Sequence, residues 1–479
     1  MTGNALPSEG GSPRRIGLVA WLVAAIAGMS GLLIGYNTAV IAAALGFIAD
    51  QFKLGPVMQG VIVSAVLLGG LVGSLAAGAL VRHVGERPVL ISTALLFIVG
   101  AVGSAMAESI SAILLWRTVL GLGVGAATMV TPLYVSETAP AAIRGALVSV
   151  IQLAITIGIL LSYLIGTMWT PSAWWQAMLG AGAVPAVLML AGLMLVPESP
   201  QWLLSKGRRA EAQRAHQRLT GDRAANLPER VQEAADGDWR ELFNGRNRPV
   251  LVLAAGLFAF ANLSGIDAIL YYAPAIFSSV GIGGTMGPIL ATTGIGVVNV
   301  IATIVAVALI DRLGRRPLLI GGLIPMALSL LILAAALLAG QGSNWSNMLA
   351  VICLCVFVMA FAVSLGPLPF VLMAELFPLA LRGPGMGIAS ATAWGVNIVV
   401  SLTFPVLVDW LGVAIVFGLY GLVSVAALAF VVVMVPETRG RTLELIETNL
   451  ALGRHVRELG LPLPTDNARS TIQHKGVIP

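Results

Sequence analysis

Charge is scarce in this sequence. Only 10% of its 479 residues are Asp, Glu, Lys or Arg, while 58% are hydrophobic; an ordinary soluble domain carries about 25% charge. So little polar surface could not cover so much apolar side chain in water. That excludes a soluble globular class and leaves a polytopic membrane protein. Cysteine is nearly missing as well. Cys353 and Cys355 share one apolar run and have no other thiol to pair with, which makes them packing residues rather than a disulfide or a metal site. The four histidines, His83, His216, His455 and His474, all fall in loops or the tail. No nucleophile–base pair or metal-ligand set is therefore expected in the apolar segments, which argues against an enzyme, a cofactor or a metal. Lysine is almost absent, at three residues against twenty-four arginines, and Ala and Gly are abundant. This composition points to a GC-rich bacterial genome, and hence to an inner membrane.

What is present is length of apolar sequence. A membrane-crossing helix needs about 20 apolar residues. Stretches of that kind are predicted near 17–45, 58–81, 88–107, 111–134, 147–168, 175–196, 249–278, 287–310, 317–339, 348–374, 385–408 and 412–435. The expected class is an all-α membrane protein with twelve transmembrane helices in two six-helix halves. The predicted organisation is a polar N-terminal tail over 1–15, a first half over 16–196, a charged helical linker over 197–248, a second half over 249–435 and a tail over 436–479. Arg14-Arg15 precede the first run, which continues past residue 35; that is too long for a cleavable signal peptide, so the first helix is expected to be retained.

The basic residues lie on one side. The linker alone carries Lys206, Arg208, Arg209, Arg214, Arg218, Arg223, Arg230, Arg240, Arg246 and Arg248, and the opposite loops carry only Lys53. Positive charge is retained in the cytoplasm, so both termini are expected there. The net charge of +5 reports this orientation. With no basic-aromatic module outside the predicted helices, nucleic acid is not an expected partner; the lipid bilayer is.

The sequence also repeats itself. PLYVSETAPAAIRG (132–145) matches FVLMAELFPLALRG (370–383), and GALVRHVGERP (78–88) matches VALIDRLGRRP (307–317). VPESPQW (196–202) matches VPETRGR (435–441). Parallel repeats of six helices place a solute site between the halves, near the midplane. The paired charges at the helix ends, Arg82, Glu86, Arg87, Glu137 and Arg144 in one half and Asp311, Arg315, Arg316, Glu375 and Arg382 in the other, are expected to form a cytoplasmic latch.

These motifs, with GLLIGYNTAV (31–40), RTVLGLGVG (117–125), GIDAILYYAP (265–274), GVVN (296–299) and VPETRGRTLELIE (435–447), resemble the sugar porter branch of the major facilitator superfamily over about 16–447. The resemblance implies a secondary transporter that works by alternating access, with a monosaccharide or polyol as substrate and no cofactor, functional as a monomer. It also implies a pocket made of Gln152, Asn262, Asp267, Tyr271, Asn299, Gly366, Phe370, Trp394 and Asn397. The physical chemistry suits a sugar: amides both donate and accept toward hydroxyls, and aromatic faces cover the C–H face of a ring.

The chain departs from the family pattern in informative places. The usual QQ-x-x-G-x-N of helix 7 is here Ala261-Asn262-Leu263-Ser264-Gly265-Ile266-Asp267, and a helix-10 tryptophan is Phe370. In the helix 2–3 motif the acid and the first base have changed places, as Arg82 and Glu86, and these two are expected to pair. Proton-coupled members generally carry Asp in the helix-1 motif G-Y-D, where this chain has Gly35-Tyr36-Asn37. Asn37 alone points to a passive uniporter. Asp267, however, is a new carboxylate deep in helix 7, and burying it ionised costs about 2.5–3.5 kcal/mol. On one helix, Ser264, Asp267 and Tyr271 would share a face by i, i+3, i+7 spacing. Proton symport with Asp267 as the protonatable group is the expected function. The alternatives are passive sugar uniport and a same-fold carrier of a non-sugar organic solute.

Overall fold

The computed structural model describes residues 18–138, 144–220, 239–339, 344–378 and 381–462. Among them, twelve helices are long and apolar enough to cross a membrane. The first six are span 1 (Trp21–Phe52), span 2 (Pro56–Val84), span 3 (Glu86–Ala105), span 4 (Ile110–Thr138), span 5 (Val150–Ser172) and span 6 (Trp175–Leu195). The second six are span 7 (Arg248–Ser279), span 8 (Met286–Ile310), span 9 (Arg315–Ala339), span 10 (Asn347–Leu376), span 11 (Gly383–Leu411) and span 12 (Val413–Met434). No strand occurs among the described residues. Large apolar side chains such as Leu68, Val99, Leu188, Ile304 and Leu422 point outward, as a surface facing lipid requires.

Glycine sets how closely the helices approach. Span 2 packs on span 4 and span 1 on span 5. A Cβ on Gly125 of span 4 would lie 1.9 Å from the Gly70 carbonyl oxygen of span 2. Such backbone-to-backbone contact is the usual means of helix association in a membrane, where burial of apolar surface gives no net drive. The halves meet where span 2 packs on span 11 and span 5 on span 8. Tyr163 of span 5 donates to the Leu270 carbonyl of span 7 at 2.8 Å. The outer part of span 1, Ile41–Phe52, also packs on the outer part of span 7, Ile266–Ser279. These contacts close the end of the bundle opposite the basic end.

Three predicted helices differ in detail. Span 1 continues to Phe52, well past residue 45, and stops only where Lys53 adopts a left-handed conformation, φ 52°. Span 7 is two helices, Arg248–Leu263 and Ile266–Ser279, broken where Gly265 sits at φ +86°. Ser264 therefore turns away to the Ala261 carbonyl (2.7 Å) and does not continue the face of Asp267 and Tyr271. Span 10 breaks between Val363 and Leu368. Pro367 and Pro369 in this stretch lack the N–H that an unbroken helix would use. The linker is helical over Pro200–Ser205 and Arg209–Thr220, with the second helix burying Ala212, Ala215 and Leu219; residues 221–238 lie outside the described residues.

Candidate functional site

The break in span 7 creates the centre of the site. Asp267 lies in the first turn of the outer half-helix, where unsatisfied N–H groups tolerate negative charge best. One turn on, the Tyr271 hydroxyl donates to Asp267 Oδ1 at 3.3 Å. The same hydroxyl accepts from Asn397 Nδ2 of span 11 at 3.3 Å. Asn397 Oδ1 in turn accepts from the Ser401 hydroxyl at 3.0 Å. One tyrosine hydroxyl thus joins a carboxylate on span 7 to an amide on span 11. Tyr271 and Asn397 are buried and Asp267 is half-buried.

None of the other predicted pocket residues makes a hydrogen bond to this hydrogen-bonded chain among the described residues. Asn262 is buried on the inner half-helix and spends its amide on the Phe258 carbonyl at 2.8 Å. Gln152 is half-buried on span 5 and Asn299 is buried on span 8. No hydrogen bond among the described residues ties up either amide. Gly366 lies in the break of span 10. Phe370, 48% exposed, rests its edge on Phe258 with ring centres 4.8 Å apart. An apolar groove of about 500 Å³ between spans 8, 9 and 10, lined by residues such as Ile301, Val305 and Met359, contains none of these residues.

Trp394 bridges the halves by packing on Gly70 of span 2, where an added Cβ would come within 2.6 Å of the indole ring. Gly70→Val must displace that ring, and overpacking of this kind costs about 1–3 kcal/mol. The variant is expected to unfold at lower temperature and to transport more slowly. Thermal unfolding in detergent and initial uptake rates read the two effects separately.

Two polar residues in the spans carried no predicted role. Arg117 on span 4 is 1% exposed. Its Nε donates to the Ile62 carbonyl at 3.0 Å, its Nη1 has no hydrogen-bond partner among the described residues, and Tyr271 and Tyr272 lie close enough to act on its charge. A lone arginine inside an apolar run is a legible signal, present in RTVLGLGVG. Ser401 was legible only as a hydroxyl one turn after Asn397. Asn37 is buried beside Gly182 and donates to the Leu33 carbonyl at 2.9 Å.

At the basic end, each half brings together some of its predicted latch residues. In the second half the Arg315 guanidinium bonds Glu375, with Nη2 to Oε1 at 2.8 Å. The backbone N–H groups of Arg315 and Arg316 donate to the two Glu437 oxygens at 3.1 and 3.2 Å. Thr438 donates to Glu375. In the first half the Arg87 N–H donates to Glu198 Oε1 at 3.0 Å and Ser199 donates to Glu137. The expected Arg82–Glu86 pair does not form. Arg82 is exposed at the end of span 2, whereas Glu86 turns inward toward Glu137 and Glu198. The side chains of Arg144, Asp311 and Arg382 lie outside the described residues.

With this geometry in hand, comparison with known proteins is specific. Residues 23–450 match the family model described as "Sugar (and other) transporter". The chain is 38% identical over 431 residues to a D-xylose transporter of Levilactobacillus brevis, covering 88% of this chain and 94% of the relative. It is 37% identical over 450 residues to the galactose-proton symporter of Escherichia coli (strain K12), covering 92% and 97%. Among solved structures, the proton:xylose symporter of the major facilitator superfamily bound to 6-bromo-6-deoxy-D-glucose superposes with a TM-score of 0.71 at 31% identity, covering 90% of this chain and 98% of that one. The xylose transporter from E. coli in a partially occluded inward-open conformation gives a TM-score of 0.75 at 30% identity, covering 88% and 99%.

Proposed function

Because this chain belongs to the sugar transporter family of the major facilitator superfamily, we propose that it is a sugar–proton symporter of a bacterial plasma membrane, with Asp267 as the group that takes and releases the proton. The observation that carries this is the hydrogen-bonded chain Asp267–Tyr271–Asn397 across spans 7 and 11. A carboxylate that shares a tyrosine with the neighbouring span 11 is sensitive to how the two spans pack. Two opposing terms act on it: partial burial disfavours the charge, and the half-helix N-terminus favours it. A group balanced in this way can exchange a proton within one transport cycle.

The rest of the cycle follows from the chain's own residues. In this reading the amides of Gln152 and Asn299 take sugar hydroxyls, and the Phe370 and Trp394 rings take the C–H face of the sugar. With the sugar and proton bound, the halves rock about the contacts of span 2 with span 11 and span 5 with span 8. The basic end faces the cytoplasm, as do both termini, by the retention of positive charge. There the Arg315–Glu375 and Arg87–Glu198 clusters hold the ends of each half together while the interface between them opens.

Asn37 favours a second reading, passive sugar uniport, because an amide cannot carry a proton in span 1. Uptake of labelled xylose, galactose, glucose and arabinose in cells lacking their own systems, with and without an uncoupler, separates the readings. Accumulation abolished by the uncoupler supports symport. Equilibration that ignores the uncoupler supports uniport, and no uptake of any sugar assigns the cavity to another organic solute.

Tyr271→Phe removes both hydrogen bonds of the hydroxyl and leaves the ring in place. Each bond contributes about 0.5–1.5 kcal/mol. Two such bonds amount to about 1–3 kcal/mol, so the half-saturating sugar concentration is expected to rise about fivefold or more, since 1.4 kcal/mol is a factor of ten. Sugar-binding titration of the purified variant checks this.

A further inference from the structure

The two halves carry corresponding clusters at the basic end, with two charged positions changed: Arg82 stands where Asp311 stands in the second half, and Glu86 where Arg315 stands. Gly85, Arg87, Glu137, Glu198 and Ser199 stand where Gly314, Arg316, Glu375, Glu437 and Thr438 stand in the second half. The equivalence reaches the backbone: a Cβ on Gly85 would lie 2.6 Å from Glu198 Oε2, and one on Gly314 2.7 Å from Glu437 Oε2. Of the two changed positions, that of Glu86 lies beside the carboxylates. Arg315 fills it in the second half and bonds Glu375. Glu86 fills it in the first.

A guanidinium there compensates its neighbours, and a third carboxylate does the opposite. Glu86 is only 2% exposed. Its own backbone N–H serves its carboxyl, yet Oε2 receives no hydrogen bond. The carboxyls of Glu137 from span 4 and Glu198 from the end of span 6 are both within hydrogen-bonding reach.

Among the described residues, the groups nearest this point are engaged elsewhere or exposed. The Arg87 guanidinium is spent on the Leu193 and Met194 carbonyls at the end of span 6. Tyr134 of span 4 donates to the Pro197 carbonyl. Arg82 and His83 at the end of span 2 are exposed, and the Trp202 ring covers Gly85. Among the described residues no three acid, thiol or imidazole groups are arranged to hold a metal ion. Two carboxylates held in contact away from water cannot both be ionised, and a single proton between them satisfies both.

We propose that Glu86 and Glu137 share one proton, forming a proton-binding site at the basic end of the first half, in the place that the Arg315 guanidinium occupies in the second. The site is separate from Asp267 and independent of whether Asp267 couples transport. It makes closure of the first-half cluster depend on pH at that end of the bundle. With the proton bound, the ends of spans 3 and 4 are tied together. When the proton leaves, two like charges face each other and the cluster loosens.

Infrared difference spectroscopy of the purified transporter, titrated from neutral to alkaline pH, tests this directly. A deuterium-sensitive C=O band of a protonated carboxylic acid is expected at neutral pH and lost toward alkaline pH. It should remain in Asp267→Asn and disappear in both Glu86→Gln and Glu86→Arg. The arginine variant rebuilds the second-half arrangement and should also flatten the fall of unfolding temperature with rising pH seen in the unaltered protein. A band unchanged by Glu86→Gln overturns the proposal. So does a band lost in Asp267→Asn alone, a result that would instead support the role of Asp267 in symport.

Discussion

Asp267→Asn is expected to abolish accumulation of sugar while leaving exchange across the membrane intact. The family's usual residue at this position is asparagine, so the substitution should fold and keep a hydrogen-bonding partner for the Tyr271 hydroxyl. What it loses is the ability to bind and release a proton. Uptake should fall from concentrative to equilibrating, become insensitive to an uncoupler and lose its rise with falling external pH. Counterflow of labelled sugar into preloaded proteoliposomes should persist at a comparable rate. For the unaltered protein the opposite sign is expected: uptake should strengthen as external protons become more abundant, because in symport protonation precedes inward movement. Accumulation that survives in Asp267→Asn would remove the proton role from this residue.

The second large effect is expected at Gly265→Ala. Gly265 sits at φ +86°, and an added Cβ would stand 2.4 Å from the Tyr420 ring of span 12. The left-handed conformation costs a non-glycine residue about 1–2 kcal/mol, and displacement of the packed ring about 1–3 kcal/mol more. Both penalties fall on the joint that begins the half-helix carrying Asp267 and Tyr271. Transport is expected to drop more than tenfold, with lowered thermal stability. Combining Gly265→Ala with Tyr420→Leu relieves the steric part alone, so partial recovery is the expected outcome. Full recovery would show that the backbone conformation of Gly265 is dispensable, and full activity of the single variant would show that the break is not needed.

The composition, the lengths of the apolar runs and the internal repeat were sufficient for the class, the number of spans and the two-half design. These are one-dimensional properties: a run of about 20 apolar residues must cross a bilayer as a helix whatever its neighbours are. The polar residues within the spans were legible for a related reason. Asp267, Asn299 and Asn397 are costly in apolar runs, and their presence alone marks them. Arg117 was marked in the same way, but its place against Tyr271 and Tyr272 was not.

Only the tertiary structure decided which groups face one another. Periodicity read span 7 as one helix, because local hydropathy does not register a glycine that Tyr420, from a distant span, holds in a left-handed turn. The Tyr271 hydroxyl is shared between Asp267 and an amide 126 residues away, a distance along the chain that no local pattern encodes. Counting charges in the helix 2–3 motif paired Arg82 with Glu86. In the folded protein the helix end exposes Arg82 and turns Glu86 inward toward Glu137 and Glu198. Sequence determines which residues a helix carries, and the packing of that helix against its neighbours determines which of them meet.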